Sequence, residues 1–479
     1  MDAPVRKCLL FRWLLACADS PDGRLALLLG ATYVLLVGNN ASFGSFSTDT
    51  ARYALVGREM VERGDWTRLT VDGEPYANKP PLPFWLEAAA FSVLGFNEAA
   101  ARLPSRAFGF AVVLLLVAMV RRRHGRRAAF WAGLIVITWV EFQHNAQTCR
   151  VDSALLFFTL ASLGAFFRMA RLGFSPRRAI LLGFLLGLGI LSKGPAGAAA
   201  ALAILLGASL SGWMRLILRC APWVLGTALL VAGPWYGLQL LREGEIWAQM
   251  LESDMFPPGE KRRSIGYILA LYGRRFFLPS LIWVPGIALG IRTAVRRLRR
   301  NPRRALEEAV LLSLIAIFLA ILVLPTKHYA RHLLPLLPAL AWLGGAQLAA
   351  MIRSRALYRA MSLTMLAGLL VVFPVLHAAG LPKARDKYAD VRTLAAIVKS
   401  ERPDARELAS WPPTIGKAWR EGFRFYFGMS LKTFEPSSPP QVPFVLVHGK
   451  EAILEFERSH TLPLVTKTKT HALYRTLPP

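Results

Sequence analysis

Between Thr48 and Trp85 the chain reads T-D-T-A-R-Y-A-L-V-G-R-E-M, then R-G-D-W, and then G-E-P-Y-A-N-K-P-P-L-P-F-W. This stretch directly follows the first long apolar segment and carries acidic, basic and aromatic residues at high density. Ionisable groups packed this densely beside a membrane indicate a functional site. The alternative interpretation is a solvated loop with one amphipathic helix, in which Asp49 serves only as the N-cap.

The composition is that of a polytopic membrane protein. Of the 479 residues 54% are hydrophobic, and long apolar runs recur with charged blocks between them. The formal charge of +28 falls mostly in short basic blocks that separate the apolar runs. The positive-inside rule accounts for such blocks, so the charge does not indicate nucleic-acid binding.

The basic blocks also predict the sides of the membrane. Residues 1–24 are predicted to be cytoplasmic, so the first span, Leu25–Phe43, delivers the loop 44–82 to the outer face. The run R-R-R-H-G-R-R at Arg121–Arg127 is predicted to be cytoplasmic again. The apolar piece Leu82–Gly95 is too short to span and predicts a juxtamembrane or re-entrant helix.

The alternation of apolar runs and basic blocks continues through Leu363–Ala379 and predicts about 11–13 transmembrane helices within residues 25–380. From residue 381 the composition changes, and residues 381–479 predict a small α/β domain on the outer, periplasmic side. The predicted fold class is therefore an all-α polytopic membrane protein with a small C-terminal α/β domain. Its predicted elements are helices at Lys383–Ser400 and Lys450–Ser459 and strands at Phe423–Phe427, Pro443–Val447 and Ala472–Thr476.

Two groups of the first loop suit chemistry on a phosphorylated lipid. Asp49 can accept a proton from a hydroxyl nucleophile, and Arg52, three residues on, would share its helical face. Lys79 precedes two prolines, which fix the backbone and present the amine from a rigid extended segment. A cation held rigidly at the membrane interface suits a lipid phosphate, although a snorkelling lysine would look the same.

Further cations follow in the predicted outer loops. Lys193 ends an apolar helix in L-S-K-G-P, where it would alternatively satisfy the terminal carbonyls. Asp152 opens a span and would alternatively be a plain N-cap. Several outer cations with a few carboxylates beside an apolar cavity predict a site for an anionic lipid. The last cationic cluster comprises Lys327, His328, Arg331 and His332, which would alternatively be a belt of flanking charges.

Taken together, the ordered motifs resemble those of the C-type (GT-C) polytopic glycosyltransferases. The branch most similar is the bacterial lipid A aminoarabinose transferases and their protein O-mannosyltransferase relatives. The resemblance covers roughly Leu25–Met351. Besides the first loop, it is carried by R-V-D-S-A-L-L-F-F, L-S-K-G-P, G-P-W-Y and K-H-Y-A-R-H-L-L-P-L-L-P-A-L-A.

The resemblance implies a reaction and a set of roles. Family members transfer a sugar, with inversion, from a polyprenyl-phosphate donor to an acceptor on the outer face of the membrane. Asp49 matches the catalytic carboxylate of the first loop, and Asp152 matches the acid that opens a later span. The residues implied to bind the donor phosphate are Arg52, Tyr53, Lys79, Lys193, Lys327, Arg331 and His332.

The chain departs from the family pattern at two acids. Thr50 stands where family loops often have a second acid, and Asn78 stands where the aminoarabinose branch has an acid before K-P. The comparable large outer loop offers Glu252 and Asp254 instead of a histidine. The four cysteines show no metal-ligand spacing. We therefore expect no metal and no cofactor, and the departures also count against aminoarabinose as the sugar.

The sequence thus predicts a glycosyltransferase of the bacterial inner membrane, with a cytoplasmic N-terminus and a periplasmic C-terminus. The expected partners are an undecaprenyl-phosphate sugar donor, a lipid, glycan or protein acceptor and the membrane lipids. The alternative is a transporter or flippase for an anionic lipid, which needs the cations but no base and should show inverted repeats. A membrane scaffold is a third interpretation, and it leaves the first loop unexplained.

Overall fold

The computed structural model of the chain describes residues 21–37, 48–255, 264–321, 328–354, 356–358, 360–361, 364, 389–411, 417–433, 444–460, 462–467 and 471–476. Lys327, nearly all of the predicted span Leu363–Ala379 and the side chains of Glu252 and Asp254 lie outside this description.

Most described residues are helical. Short 3₁₀ helices at Gly194–Ala198 and Ala330–Leu336 interrupt the α-helices. In chain order the α-helices are α1 (Pro21–Val37), α2 (Thr48–Arg63), α3 (Leu82–Leu94), α4 (Glu98–Thr138), α5 (Val140–Gln147), α6 (Asp152–Leu172), α7 (Pro176–Lys193), α8 (Ala199–Leu210), α9 (Met214–Met255), α10 (Ile265–Tyr272), α11 (Val284–Arg300), α12 (Leu306–Ile321), α13 (Leu337–Met351), α14 (Ala389–Glu401), α15 (Lys417–Phe427) and α16 (Lys450–Ser459).

Six helical stretches in the described part of the chain are long and apolar enough to cross a membrane. The chain is therefore a multi-pass membrane protein, and the predicted fold class is confirmed. The expected number of 11–13 spans stays a prediction. The helix predicted at Leu82–Gly95 is present as the short helix α3. The six stretches are Glu98–Thr138, Asp152–Leu172, Pro176–Leu210, Met214–Arg242, Ile265–Arg300 and Ala330–Met351.

The first of these stretches, α4, is a pair of helices that folds back at Gly125. Gly125 has φ 82°, a conformation that breaks helical geometry and that glycine adopts readily. A Cβ placed on Gly133 would lie 3.0 Å from Val117 Cγ2. In one straight helix these residues would be roughly 24 Å apart, at 1.5 Å per residue. The two arms are therefore antiparallel, and the turn falls in the basic run Arg121–Arg127.

A second reversal follows Lys193. Helix α7 ends there, Gly194 has φ 59°, and a 3₁₀ helix leads into α8. The backbone of Gly197 packs directly on that of Gly189 and leaves no room for a side chain. This close approach holds the turn in place, with Lys193 at its apex.

The described residues fall into two compact units. The first unit holds residues 1–39, 77–83 and 104–375, which include the membrane helices. Its core contains an aromatic cluster in which Trp139 and Phe276 lie 5.0 Å apart and the Trp283 indole N–H donates to Thr138 Oγ1. The second unit combines residues 40–76 and 84–103 with the C-terminal residues 376–479.

In the second unit, a short hairpin packs under α2. Strands β1 (Thr70–Val71) and β2 (Glu74–Pro75) are joined by Asp72-Gly73, both with positive φ, as two-residue hairpin turns require. The buried carboxylate of Glu59 accepts hydrogen bonds from the Asp72 N–H, at 2.7 Å, and from the Thr70 hydroxyl. The first loop is therefore a folded structure built on α2.

The C-terminal region is a small α/β structure, as predicted. Its strands are β3 (Glu407–Trp411), β4 (Ser430–Thr433), β5 (Phe444–His448), β6 (Leu464–Lys467) and β7 (His471–Arg475). The strand order in the sheet is β4-β3-β5-β7-β6. Strand β3 is parallel to β4 and β5, and β7 is antiparallel to β5 and β6. Two of the five strands were predicted from the sequence, at Phe444–His448 and His471–Arg475.

The strand predicted at Phe423–Phe427 is wrong, since these residues form the last part of α15. Phe423 and Phe427, four residues apart, pack into the core of the sheet. Phe425 faces elsewhere and packs on Phe91 of α3, with ring centroids 5.9 Å apart. Burial on two sides produced the alternating aromatic pattern that resembled a strand.

Candidate functional site

Asp152 and Lys193 form a buried ion pair in the first unit. Lys193 Nζ lies 2.5 Å from Asp152 Oδ1, and the carboxylate side chain is 2% exposed. The N-cap position of α6 is occupied by Val151 and Asp152 is the first residue of the helix, so the plain N-cap interpretation of Asp152 is wrong. Lys193 directs its amine to Asp152, which disfavours the interpretation that it only satisfies carbonyls of α7.

The segment before α6 is fixed by Ser105. Its hydroxyl donates to the carbonyl of Arg150 at 2.8 Å and accepts the Arg150 N–H at 3.0 Å. Arg150 is itself 9% exposed, and its charge acts on Asp152. The sequence analysis did not single out Arg150, although it lies two residues before Asp152.

Arg331 and His332 lie in the 3₁₀ helix that precedes α13. The Arg331 guanidinium stacks over the Tyr329 ring at 3.9 Å from its centroid, and the His332 ring meets that of Tyr329 edge-on. The charges of Arg331 and Lys79 both act on Lys193 and on His332. These residues therefore form one electrostatic group with the ion pair.

Lys79 lies between β2 and α3 in a segment without regular secondary structure. Its amine donates to the carbonyl of Asn78 at 2.8 Å, and its charge reaches Lys193. The structure thus brings together four of the predicted site residues of the first unit around Asp152: Lys79, Lys193, Arg331 and His332.

One further carboxylate belongs to this group and was missed. Burial raises the pKa of Glu141 above its ordinary value, even though Asn145 donates a hydrogen bond to it at 2.9 Å. Asp152 also raises this pKa, while Arg150 and Arg331 lower it. Glu141 lies in α5, directly after the apolar stretch that ends at Thr138, and an acid at the end of a membrane span is a usable signal of function.

Among the described residues of this cluster, cations outnumber carboxylates. Lys79, Arg150, Lys193 and Arg331 carry four positive charges, against the carboxylates of Asp152 and Glu141. Burial favours the neutral form of one of these carboxyls, Glu141. The cluster therefore suits an anionic group such as a phosphate, which gains most from several charged donors in a low dielectric. We call Lys79, Arg150, Lys193 and Arg331 the cation cluster.

The predicted residues of α2 belong to the second unit. Asp49 lies in the first turn of the helix and is half-buried. Tyr53 is 7% exposed, and its ring and that of Tyr76 both meet Phe84 edge-on, at 5.8 and 5.9 Å. A role for Tyr53 in binding a phosphate stays a prediction.

Arg52 is engaged by the C-terminal region of the same unit. Its Nε lies 2.8 Å from Oε1 of Glu421, a side chain that is 2% exposed. Burial by itself lowers the pKa of Arg52, but the Glu421 carboxylate outweighs it and the pKa is raised. Arg52 is therefore a permanent cation with a buried counter-ion. Neither the sequence pattern nor the resemblance pointed to Glu421.

Within the described parts of the chain, no group of three or more His, Cys, Asp or Glu side chains is placed to hold a metal ion.

The fold is that of the C-type polytopic glycosyltransferases. ArnT from Cupriavidus metallidurans, solved bound to undecaprenyl phosphate, matches with a TM-score of 0.72 at 19% identity, over 95% of this chain and 98% of that chain. The oligosaccharyltransferase AglB from Archaeoglobus fulgidus, in complex with an inhibitory peptide and a dolichol-phosphate, matches with a TM-score of 0.56 at 12% identity, over 93% and 70% of the two chains. At sequence identities of 19% and 12%, the structural similarity shows that the fold is shared.

The sequence comparisons point to particular relatives. Residues 78–236 match the profile of a family described as dolichyl-phosphate-mannose-protein mannosyltransferase. An undecaprenyl phosphate-alpha-4-amino-4-deoxy-L-arabinose arabinosyl transferase from Aeromonas salmonicida (strain A449) is 28% identical over 209 residues. This match covers 42% of the chain and only 38% of the relative. The predicted resemblance is confirmed. Lys79, Asp152 and Lys193 all lie within residues 78–236, which match the family profile.

Proposed function

We propose that this chain is an inverting glycosyltransferase that moves a sugar from an undecaprenyl-phosphate carrier to a lipid, glycan or protein acceptor. The reaction would take place at the outer face of the bacterial inner membrane. The single observation that carries the proposal is the cation cluster around Asp152, whose four cations face two carboxylates among the described residues.

The chemistry of the reaction calls for such a cluster. A polyprenyl-phosphate sugar is a phosphodiester with one negative charge. When the acceptor oxygen attacks the anomeric carbon, the bond from that carbon to the phosphate oxygen breaks, and the polyprenyl phosphate leaves with a second negative charge. Cations fixed beside the phosphate stabilise this developing charge more than they stabilise the bound donor, and that difference lowers the barrier.

The relatives support the choice of carrier. ArnT was solved with undecaprenyl phosphate and AglB with a dolichol-phosphate, so two proteins of this fold hold a polyprenyl phosphate. The curated relative carries undecaprenyl phosphate in its name. The sugar in that name is 4-amino-4-deoxy-L-arabinose, whereas Asn78 stands where that branch has an acid.

Asp49 is proposed to act on the acceptor, as the base or as the group that orients it. This role rests on the motif resemblance and on its half-buried position in the first turn of α2. A carboxylate there can accept the proton that the acceptor hydroxyl loses. The reaction is proposed to need no metal, because charge stabilisation is assigned to the cation cluster.

The test combines a cellular and a purified readout. Mass spectrometry of envelope glycans from strains with and without the chain should reveal one sugar that depends on it, and so identify the donor. The purified protein in nanodiscs should bind undecaprenyl phosphate and transfer that sugar. Movement of the lipid across the bilayer without sugar transfer would instead establish the transporter, and an unchanged envelope together with no lipid binding would refute both.

A further inference from the structure

A cavity of about 280 Å³ lies in the first unit, between α11, α13 and the turn of α4. Its polar wall is made by Thr293 and Arg297 of α11, Gln347 of α13, His124 and Glu308. Arg297 Nη1 lies 3.0 Å from Glu308 Oε1, and Thr293 Oγ1 lies 2.9 Å from Gln347 Oε1. Because these two hydrogen bonds join the helices around it, the cavity has a polar wall that is fixed in position.

The cavity is separate from the cation cluster. Gln347 lies roughly 15 Å along the axis of α13 from the start of that helix, at 1.5 Å per residue. Arg331 lies in the 3₁₀ helix that precedes this start. His124, in contrast, adjoins Gly125 in the basic run Arg121–Arg127, which is predicted to be cytoplasmic. The cavity therefore lies toward the opposite end of α13 from the proposed site of sugar transfer.

Helix α11 places the cavity at the depth of phospholipid headgroups. From its start to Leu289, the exposed side chains of α11 are apolar. From Arg292 to Arg300, every exposed side chain is an arginine. Such a change marks the boundary between the hydrocarbon of a membrane and its headgroup layer. Thr293 lies at this boundary and lines the cavity, so a headgroup can reach the cavity from the surrounding lipid.

The carboxylate in the cavity wall is incompletely satisfied. The Glu308 side chain is 7% exposed, whereas the Arg297 side chain is 56% exposed, so Glu308 marks the inner end of the cavity and Arg297 its open end. Among the described residues, Glu308 Oε2 has no hydrogen-bond partner. A buried carboxylate oxygen without a donor costs free energy, and a positively charged donor beside it removes that cost.

We propose that this cavity binds the headgroup of phosphatidylethanolamine. The ammonium group lies beside the Glu308 carboxylate, and the phosphate lies at the open end beside the Arg297 guanidinium. The zwitterionic headgroup then matches the ion pair charge for charge. A primary ammonium brings three N–H donors. The quaternary ammonium of phosphatidylcholine brings none, and the hydroxyls of phosphatidylglycerol carry no positive charge. This inference does not depend on the proposed sugar transfer.

Native mass spectrometry of the full chain in detergent measures the affinity for these three lipids, each with the same acyl chains. The parent protein should bind one phosphatidylethanolamine about tenfold more tightly than either other lipid, the effect of one charge-assisted hydrogen bond. Glu308→Gln keeps the size of the side chain but removes its charge, and should reduce this preference to less than about twofold. The matched control is Glu307→Gln. Glu307 pairs with Arg123 at 2.9 Å instead of lining the cavity, so the preference should remain.

Hydrogen exchange locates the bound lipid. Phosphatidylethanolamine, but not phosphatidylcholine, should slow exchange in peptides that cover α11 and the end of α13. Equal affinities for the three lipids, tighter binding of phosphatidylglycerol, or protection only elsewhere in the chain would overturn the inference. A preference unchanged in Glu308→Gln, or lost in Glu307→Gln, would do the same.

Thermal unfolding of both variants shows whether they fold. If Glu308→Gln does not fold, the parent protein alone decides the question with the monomethyl and dimethyl derivatives of phosphatidylethanolamine. Each methyl group removes one N–H donor, so the affinity should fall stepwise along the series. Equal affinities along the series would overturn the inference.

Discussion

Lys193 Nζ and Asp152 Oδ1 lie 2.5 Å apart, so the last residue of α7 and the first residue of α6 meet in one buried ion pair. The pair holds two helix ends together and places an anion at the centre of the cation cluster. Its two members have different surroundings, because Arg150 and Arg331 also attract Asp152 whereas Lys79 and Arg331 repel Lys193.

This asymmetry predicts unequal effects of removing either partner. Breaking a buried pair typically costs about 3–5 kcal/mol, and Asp152→Asn should reach that range because Lys193 is left among cations. Lys193→Met should cost less, since Arg150 and Arg331 still face the carboxylate. Thermal unfolding of both variants in one detergent measures the difference. An equal loss, or a larger loss for Lys193→Met, would contradict the described electrostatic surroundings.

Lys79→Ala should weaken donor-lipid binding. A charge-assisted hydrogen bond contributes about 1.5–3 kcal/mol, so the dissociation constant for undecaprenyl phosphate should rise about tenfold or more. Arg299→Ala is the matched control, because it also removes one positive charge but from an exposed position in the last turn of α11. Equal weakening by both substitutions would mean that net charge, and not the cation cluster, attracts the lipid.

Asp49→Asn should affect the rate and spare binding. The amide keeps the size of the side chain but cannot take a proton, and loss of a general base typically costs about 10²–10⁴-fold in rate. Donor binding should stay near the parent value, since the carboxylate does not attract phosphate. The comparison is sugar transfer and lipid binding in the same preparation. Transfer at the parent rate would show that Asp49 only caps α2.

Sugar transfer should survive chelator treatment. Asn78 replaces an acid with a neutral amide, which leaves one fewer anionic ligand for a divalent cation. The measurement is the transfer rate of purified protein before and after dialysis against EDTA. Dialysis against the same buffer without EDTA is the control. Activity that is lost in EDTA and restored by Zn²⁺, Mg²⁺ or Mn²⁺ would show that the proposed metal-free reaction is wrong.

The C-terminal sheet should become less stable in mild acid. His448 on β5 faces His471 on β7, with Nδ1 and Nε2 2.7 Å apart, and burial lowers the pKa of His448. The folded state therefore favours the neutral ring. The stability it contributes is fully present above the unfolded pKa of about 6.5 and is lost as the pH falls from that value through the lower folded pKa.

Hydrogen exchange of peptides covering β5 and β7 at pH 7.5 and 5.5, corrected for the intrinsic rate, measures this loss. His448→Gln should flatten the difference between the two pH values, because glutamine does not titrate. His460→Gln, outside the pair, is the control and should retain it. Exchange that is equally protected at both pH values in the parent protein would contradict the prediction.

Local patterns in the sequence determined much of the fold. Long apolar runs have to satisfy their backbone groups as helices in a membrane, so composition predicted the helical class. The basic run Arg121–Arg127 marked the turn at Gly125. The resemblance to the C-type polytopic glycosyltransferases could be read from the sequence, because it depends on the order of short motifs along the chain.

The pairing of side chains was decided only by the tertiary structure. Asp152 looked like an N-cap because the pattern could not show Lys193, which lies 41 residues away. The pairing of Arg52 with Glu421 could not be read from the sequence, because the two residues are 369 positions apart. Phe423–Phe427 looked like a strand because aromatic residues buried on two sides of a helix imitate alternation. In each case the deciding energy comes from burial against a distant segment, and distance along the chain carries no record of which segments meet.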